Sequence, residues 1–381
     1  MDPKHSPPDR ARHAARPGPR SAAAISAACT AVMALAGAGA AHADAAPAVS
    51  VGAGVQAGFY SCNTACIYSP GVVGSGDSSV QGFALDSMRL YVNGSITDTI
   101  KLTFDTEYTG TGSGPGANKV EVMDAIGRFE FSNVFNVWVG RFLPPSDRAN
   151  LYGPYFANDW APYADGVADY YPNVAVGRDN GLVYWGQFGI VKLSLGAFDG
   201  ETLNSAAPDP SRVLGAGRIQ IDLWDPEPGY YLNGTYYGDK DVLAFGAAGQ
   251  TQDSKTTASL DGLLEKKLAG LGVLDVEAEY MKDNRLTSTV GSDGWYALVS
   301  YMLPAEVGIG KFQPLVRYGE KKFDGASDHV KTTEVDVNYI IKEFSARVGL
   351  YYLHQSYPVS GEGFTTTVSP NEWGLKIQLQ M

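Results

Sequence analysis

The feature that most limits how this chain can fold is a regular alternation of apolar and polar residues. Clear examples are Ile100–Asp105 (IKLTFD), Leu274–Tyr280 (LDVEAEY), Val335–Tyr339 (VDVNY) and Trp373–Met381 (WGLKIQLQM). Successive side chains of a β-strand point to opposite faces, so each run predicts a strand with one apolar and one polar face. Soluble strands usually have about five or six residues, whereas many segments here have about 10 to 13. Such lengths are typical of strands that cross a membrane.

The connections between these segments predict an all-β fold, a transmembrane antiparallel up-and-down β-barrel of about 16 strands. Connections after odd-numbered strands are mostly long and those after even-numbered strands mostly short, as expected when loops and turns lie on opposite sides of a membrane. Residues 224–240 are an exception, because they are too long for a turn on the short side. The predicted strands are residues 50–60, 82–95, 98–109, 118–131, 134–142, 180–187, 189–198, 211–223, 241–252, 255–268, 271–283, 293–303, 310–322, 329–341, 343–355 and 371–381.

Aromatic residues near the ends of the apolar faces predict girdles at the two membrane interfaces, where rings with polar tips are favoured. The alternative is ordinary core packing. The residues concerned are Phe129, Phe131, Trp138, Trp185, Trp295, Tyr301, Tyr339, Tyr352 and Trp373.

The first 43 residues have the three parts of a secretory signal peptide. Met1–Arg20 carries five basic residues, Ser21–Ala40 is a small apolar block, and Ala41–Ala43 has the A-x-A form of a cleavage site. A membrane anchor is the alternative, but the block is rich in Ala and Gly and only weakly hydrophobic. We therefore expect a signal peptide over 1–43 and a barrel domain over 44–381.

The chain is acidic, with a net charge of −12. Removal of the first 43 residues, which hold five Lys/Arg and two Asp, leaves 24 basic and 39 acidic residues and a net charge of −15. Nucleic-acid binding requires a basic surface, so no nucleic-acid partner is predicted. Phosphate loops, dinucleotide fingerprints, zinc sets and EF-hand patterns are also not recognisable, so the sequence predicts no cofactor and no metal.

Charges recur on the polar faces of the predicted strands. A charge facing hydrocarbon at mid-bilayer costs about 2–4 kcal/mol, so the set indicates a wet interior, and about sixteen strands leave room for an aqueous channel. For any single residue the alternative is a salt bridge that only stabilises the wall. The predicted lumen residues are Arg89, Lys101, Arg128, Lys192, Arg218, Arg317, Arg347, Lys376, Asp105, Glu107, Glu130, Asp222, Asp275, Glu277, Glu279, Glu334 and Asp336.

The longest predicted connection, residues 143–179, contains five prolines and many aromatic residues. Connections of this length are usually functional, and one that folds into the lumen would constrict the pore and set its ion selectivity. The alternative is a cap packed on neighbouring outer loops. The candidate pore-lining residues are Asp147, Arg148, Asp159, Asp165 and Asp169 from this loop, with Arg89, Arg128 and Arg347 from the wall.

Cys62 and Cys66 remain after removal of the signal peptide. In an oxidising exterior they are expected to form a disulfide that closes a small loop. The alternatives are two unpaired thiols, or a metal site that lacks its other ligands.

Over nearly its whole length after residue 43, the chain resembles the Gram-negative porins, and most closely the phosphate-selective porins O and P. Four segments carry this resemblance. They are Arg89–Glu107, Val139–Arg148, Leu263–Tyr280 and Gly310–Tyr318. The resemblance implies a sixteen-stranded barrel in the outer membrane of a Gram-negative bacterium, usually a homotrimer, with an inward-folded loop that narrows the pore.

The chain departs from that family in two ways. It ends in Met381, where barrels of this kind often end in Phe or Trp. Its predicted lumen charges are of both signs, whereas phosphate specificity needs a run of Arg and Lys. We therefore do not predict for this chain the phosphate binding of that family.

These features predict a non-enzymatic outer-membrane porin, in contact with outer-membrane lipid, through which small hydrophilic solutes and ions diffuse passively. The alternatives are an anion- or phosphate-selective channel, a barrel hydrolase and a secreted soluble β-rich adhesin. A hydrolase needs a Ser–His pair or an acid–base cluster. The chain after residue 43 has only His329 and His354, neither of which has an evident Ser partner.

Overall fold

Strands joined by connections of different lengths follow one another through the described part of the chain. The computed structural model describes residues 48–63, 66–67, 79–109, 119–167, 177–200, 213–286, 290–326, 329–361 and 364–381, and for residues 109, 357–361 and 364–367 it describes only the backbone. The predicted signal peptide over 1–43 and the candidate residue Asp169 lie outside the described residues.

The described part of the chain contains eighteen strands and one short helix. Among the described residues, no helix is both long and apolar enough to cross a membrane. The elements are β1 (Ala48–Cys62), β2 (Val80–Ser95), β3 (Ile100–Thr109), β4 (Lys119–Glu130), β5 (Asn136–Phe142), α1 (Arg148–Tyr152), β6 (Asp179–Phe188), β7 (Val191–Phe198), β8 (Leu214–Asp222), β9 (Val242–Gln252), β10 (Lys255–Leu268), β11 (Gly272–Asn284), β12 (Ser292–Met302), β13 (Glu306–Val307), β14 (Gly310–Phe323), β15 (Val330–Lys342), β16 (Ala346–Gly361), β17 (Phe364–Val368) and β18 (Asn371–Gln380).

The strands form one closed antiparallel barrel in which neighbours along the chain are neighbours in the sheet. Closure comes from β1, which pairs with β2 on one side and with β18 on the other. The two-residue β13 lies in the connection between β12 and β14, and β17 pairs only with the far end of β16. In the described part of the chain, sixteen strands therefore form the wall, and the predicted up-and-down barrel is confirmed.

The two faces of the wall differ as the alternation predicts. On β18, Leu375, Ile377 and Leu379 are exposed on the outside, whereas Lys376 and Gln378 are buried inside. Most other strands follow the same rule, so a band of large aliphatic and aromatic side chains covers the outer surface. Burying such residues against lipid is favourable, whereas exposing a continuous band of them to water is not.

Two connections differ from the sequence-based prediction. Part of the predicted loop 356–370 is strand, because β16 continues past the wall to Gly361 and pairs with β17 as a hairpin. Residues 224–240 form neither a turn nor a wall strand. Instead, described residues of this connection, among them Glu227, Tyr230 and Leu232, are buried inside the barrel. We call residues 223–241 the inner segment.

Two of the predicted girdle aromatics lie inside the barrel. Trp138 on β5 and Trp185 on β6 are buried and pack edge to face with ring centroids 5.9 Å apart, and Trp138 also contacts Tyr230 of the inner segment. Alternation failed at β5 because both of its faces are apolar, with Val139 exposed outside. Trp295 and Trp373, by contrast, are exposed on the outer face as predicted.

Candidate pore and inward loop

The inner face of the barrel carries every charged residue of the predicted lumen set. Pairing registers place Arg89 opposite Glu107, Lys101 opposite Arg128, and Arg317 opposite Glu334 across neighbouring strands. Their outward neighbours, such as Leu90, Leu102 and Val316, are exposed and apolar. Apart from the aromatic cluster on β5 and β6, the interior is therefore lined by charged and polar side chains, as an aqueous lumen requires.

The connection after β5 folds into this interior. We call residues 143–179 the inward loop, of which 143–167 and 177–178 are described. Its helix α1 begins at the N-cap Asp147, whose carboxylate accepts a hydrogen bond from the Asn150 backbone N–H at 2.8 Å, a common way to start a helix. It ends at Gly153, whose φ of 65° is readily adopted by glycine. Asp147 and Arg148 are thus buried in a folded element.

Arg317 on β14 anchors the loop through two ion pairs. Its guanidinium contacts Asp159 at 2.9 Å and Asp165 at 2.6 Å and lies 3.7 Å from the centroid of the Tyr296 ring. All three charged side chains are at most 3% exposed. Loss of one partner would leave a buried, unpaired charge, which is strongly destabilising.

Trp160 is the second anchor of the loop. The backbone N–H groups of Trp160 and Ala161 both donate to Glu334 Oε1 at 3.0 Å, and the Trp160 indole N–H donates to Asn338 Oδ1 at 2.5 Å. Arg347 lies over the Trp160 ring at 4.2 Å from its centroid. Arg347 also donates to the carbonyl of Ala157 in the loop, at 2.7 Å.

Tyrosines extend the contact to other strands. The Tyr152 hydroxyl donates to Glu277 on β11 at 3.0 Å. Tyr155 reaches the opposite side of the barrel, where its hydroxyl lies 3.0 Å from Ser87 Oγ on β2 and its ring lies 4.7 Å from the Arg89 guanidinium. The loop therefore crosses the lumen.

Glycines on the inner face make room for the loop. A Cβ atom on Gly349 would lie 1.7 Å from the Trp160 indole nitrogen, and one on Gly54 would lie 2.6 Å from the Tyr155 ring. A Cβ on Gly319 would lie 2.7 Å from the Asp165 carboxylate. Side chains larger than glycine cannot occupy these positions while the loop stays where it is.

The inner segment meets the loop at one buried ion pair. Both guanidinium NH₂ groups of Arg148 contact Glu227, and one of them also donates to the Asn233 carbonyl at 3.0 Å. Burial alone would raise the pKa of Glu227, but the Arg148 charge and hydrogen bonds outweigh it and hold this pKa below its ordinary value. Glu227 is therefore ionised at neutral pH, and the pair joins two segments that are 79 residues apart.

These contacts distinguish two regions of the inner face. The first is covered by the loop, and we call it the docked wall: Glu277, Ser300, Arg317, Glu334, Asn338, Arg347 and Gln378. The second keeps partly exposed side chains on β2, β3 and β4, and we call it the open wall: Tyr91, Asn93, Lys101, Asp105, Arg128 and Glu130.

Charged pairs of the open wall are more exposed to solvent than those of the docked wall. Lys101 contacts Glu130 at 2.7 Å, and Arg128 lies 3.9 Å from the same carboxylate group. The side chains of Lys101, Arg128 and Glu130 remain 30%, 21% and 18% exposed. Water can therefore reach this side of the lumen.

The candidate pore-lining residues fall into three groups in the structure. Arg128 lies on the open wall. Arg89 is buried at its margin, where it pairs with Glu107 and stacks on the loop. The others that the structure describes are buried in loop contacts: Asp147, Arg148, Asp159, Asp165 and Arg347.

Sequence reasoning missed the partners that hold the loop. Glu227 was not singled out, although the unexpected length of residues 224–240 was a signal that this connection does more than turn the chain. Gly349, Gly319 and Gly54 were also missed. Their signal is glycine at an inward position of a strand whose other inward positions are large or polar.

Cys62 and Cys66 are joined by a disulfide with a Cα–Cα distance of 5.2 Å. It lies at the end of β1, and the backbone N–H of Ile67 donates to Glu372 on β18 at 2.6 Å. The small loop is thus attached to the strand that closes the barrel.

Among the described residues, the partners of His329 and His354 are a carboxylate and an amide, and neither is a serine. His329 Nδ1 lies 3.1 Å from a Glu320 oxygen, and His354 Nδ1 lies 2.7 Å from the Asn371 side-chain oxygen. Neither contact forms the nucleophile–base pair of a hydrolase.

Solved structures of outer-membrane channels have the same fold. An anion-selective porin from Comamonas acidovorans matches with a TM-score of 0.58 at 14% identity, over 88% of this chain and 100% of that one. OprB of Pseudomonas putida, in its high-pH structure, matches with a TM-score of 0.58 at 12% identity, over 87% and 94%. The outer-membrane channel DcaP of Acinetobacter baumannii matches with a TM-score of 0.53 at 11% identity, over 90% and 100%.

No protein-family model matches the chain, and no curated protein matches it in sequence. At these low identities the likeness to solved structures concerns the fold. The chain therefore shares the closed β-barrel of these outer-membrane proteins over almost its entire described length.

Proposed function

We propose that this chain is an outer-membrane porin, a water-filled channel through which small hydrophilic solutes and ions diffuse passively. The proposal rests on one observation: the barrel is closed, and its outer surface is apolar whereas its interior is charged. Apolar side chains such as Leu375 and Leu379 are exposed on the outside, and charged ones such as Lys376 point inward. A closed barrel leaves no unpaired strand edge in lipid, and its charged interior favours water over hydrocarbon.

The permeation path runs along the open wall. The inward loop packs on the docked wall and desolvates it, whereas Lys101, Arg128 and Glu130 keep water-accessible side chains. A solute passing between the loop and the open wall meets both positive and negative groups. This mixture supports passage of small polar solutes and ions, with weak preference between anions and cations.

The constriction lies where the loop approaches the wall at Arg89, whose guanidinium lies over the Tyr155 ring. Arg128 lines the path further along the open wall, beside Glu130. The other described candidates, Asp147, Arg148, Asp159, Asp165 and Arg347, act on the pore by holding the loop in position. Asp169 belongs to the same loop and completes the proposed constriction set.

The proposed setting is the outer membrane of a Gram-negative bacterium, with a signal peptide directing export. The apolar outer face contacts outer-membrane lipid. A homotrimer is proposed by analogy with OmpT of Vibrio cholerae, an outer-membrane protein that also matches in structure and is described in a trimer form. The resemblance to the phosphate-selective porins O and P supports the barrel and its inward loop, while the mixed open wall does not favour phosphate binding.

Planar-bilayer recording tests the proposal. The full chain, expressed with its own leader in a Gram-negative host and extracted folded from outer membranes, is expected to insert and to give stable, stepwise conductance. The same preparation after heat unfolding serves as the control and should give none. Folded, inserted protein that conducts no ions would refute the channel function.

The enzymatic alternative is tested on the same preparation. A hydrolase would cleave lipid or peptide substrates and would lose that activity in His329→Ala or His354→Ala. We expect no hydrolysis by the folded wild-type protein and unchanged conductance in both variants.

A further inference from the structure

A small cavity lies where the inward loop and the inner segment meet the wall. Leu151 lines it from the loop, Tyr230 and Leu232 from the inner segment, and Trp185, Lys192 and Arg218 from β6, β7 and β8. The cavity has room for about one water-sized particle. It is separate from the open wall on β2–β4.

Three nitrogen atoms of the lining residues lack a hydrogen-bond partner among the described residues. They are Lys192 Nζ, Trp185 Nε1 and Arg218 Nε, and all three are shielded from solvent. Each is a donor. An unmet buried donor is costly, most of all one that carries a charge, so three of them around one cavity indicate that a ligand accepts their hydrogens.

A water molecule meets these donors poorly. It accepts about two hydrogen bonds and needs acceptors for its own two hydrogens. On the lining, Gln220 Oε1 already accepts from Arg218 at 3.1 Å, and the Tyr230 hydroxyl donates to the Leu143 carbonyl at 2.7 Å. Their remaining lone pairs could take the hydrogens of a water, but that water would still accept from only two of the three nitrogens. An anion accepts from all three nitrogens and has no hydrogens to place.

The surrounding charges limit the ligand to a single negative charge. Arg148 is paired with Glu227 and Arg218 with Asp261, so Lys192 is the lining cation without a carboxylate at hydrogen-bond distance among the described residues. Glu227 and Asp222 are still close enough to act on Lys192 electrostatically. A divalent anion would meet about twice the repulsion from these carboxylates that a monovalent anion meets.

We propose that this cavity binds one small monovalent anion of halide size, held by Lys192, Trp185 and Arg218. All three donors belong to wall strands, and Leu151 of the loop with Tyr230 and Leu232 of the inner segment closes the cavity over them. The bound anion therefore satisfies wall donors that this packing takes out of water. The site is structural, and it does not depend on whether the channel conducts.

Bromide anomalous scattering tests the site directly on the wild-type protein. Crystals of the folded full chain grown with sodium bromide in place of chloride are expected to show an anomalous peak in the cavity, at contact distance from Lys192 Nζ. Density for water without an anomalous peak at this position would overturn the proposal.

Heat unfolding in solution gives a second readout. Binding to the folded state stabilises it in proportion to the logarithm of ligand concentration above the dissociation constant. The unfolding temperature of the wild type is therefore expected to rise by a constant step for each tenfold increase in bromide, and Lys192→Met should lose this response.

Lys322→Met is the matched control, because Lys322 is an exposed lysine on β14, and it should keep the wild-type response. If Lys192→Met does not fold, Trp185→Phe removes one donor while keeping a ring, and it should weaken the bromide response. Equal bromide responses in the wild type, the foldable cavity variant and Lys322→Met would refute the anion site.

Discussion

The docked wall and the open wall arise from the same alternating pattern but differ in their environment. Arg317 on the docked wall is 3% exposed and held between two carboxylates, whereas Arg128 on the open wall is 21% exposed and lies 3.9 Å from Glu130. The docked wall behaves as a polar protein core, and the open wall behaves as the lining of a channel. Inward charge in this barrel therefore has two roles, and the packing of a neighbouring loop decides which role a residue has.

The largest expected contrast is between Arg317→Met and Arg128→Met. Arg317→Met leaves Asp159 and Asp165 buried without their partner, so the free energy of unfolding should fall by about 3–5 kcal/mol. Arg128→Met removes a partly exposed charge and should cost less than about 1 kcal/mol. Urea unfolding of the folded barrel, followed by tryptophan fluorescence, measures both. Equal losses would show that the two walls do not differ in the way described.

Glu227→Gln tests the connection between the loop and the inner segment. It keeps the side-chain shape but removes the charge opposite Arg148, and should lower the free energy of unfolding at pH 7 by about 1.5–3 kcal/mol. Glu130→Gln on the open wall is the matched control and should change it much less.

The same pair gives a pH dependence with a defined sign. Glu227 has a folded-state pKa below its ordinary value, so its contribution is complete above the ordinary value and is lost as the pH falls through the lower, folded one. The difference in stability between the wild type and Glu227→Gln should therefore be constant near neutral pH and shrink on acidification. A difference that grows in acid would contradict the assignment.

Glycine substitutions give a smaller contrast. A methyl group on Gly349 would overlap Trp160, whereas one on Gly94 of β2 would meet no atom within 4 Å. Gly349→Ala should cost about 1–3 kcal/mol through overpacking, and it should make single-channel currents noisier because Trp160 is displaced. Gly94→Ala should leave the current noise unchanged. Quiet currents in Gly349→Ala would mean that the loop position does not depend on this contact.

The smallest energetic effect, and the most specific functional one, is expected on the open wall. Lys101→Gln with Arg128→Gln removes two positive charges and should shift the reversal potential in a salt gradient toward cation preference. Glu130→Gln should shift it toward anions. Neither change should lower the unfolding free energy by more than about 1 kcal/mol. Unchanged reversal potentials in both variants would place the permeation path elsewhere.

The fold was largely predictable because its signal is local. Alternation along Leu274–Tyr280 or Trp373–Met381 needs no knowledge of distant residues, and it indicated the strands of the wall with small errors at their ends. It failed on Trp138 because β5 is apolar on both faces, so its inner side could be recognised only from the Tyr230–Tyr231 pair that packs on it.

The site was less predictable because its contacts are long-range. Asp159 and Asp165 looked like free charges of a constriction, yet Arg317, more than 150 residues away, pairs with both. Neither the partner of Arg148 nor the space that Gly349 leaves for Trp160 can be read from neighbouring residues.

The amino-acid pattern alone was enough to predict long half-apolar strands, the outward face of the strands that alternate clearly, and an interior of mixed charge. Those properties follow from side-chain direction and from the cost of placing charge in hydrocarbon. Which inward charges are buried and which meet water could be seen only in the folded molecule. That outcome depends on where the inward loop and the inner segment pack, and therefore on ion pairs and close contacts between residues far apart in the chain.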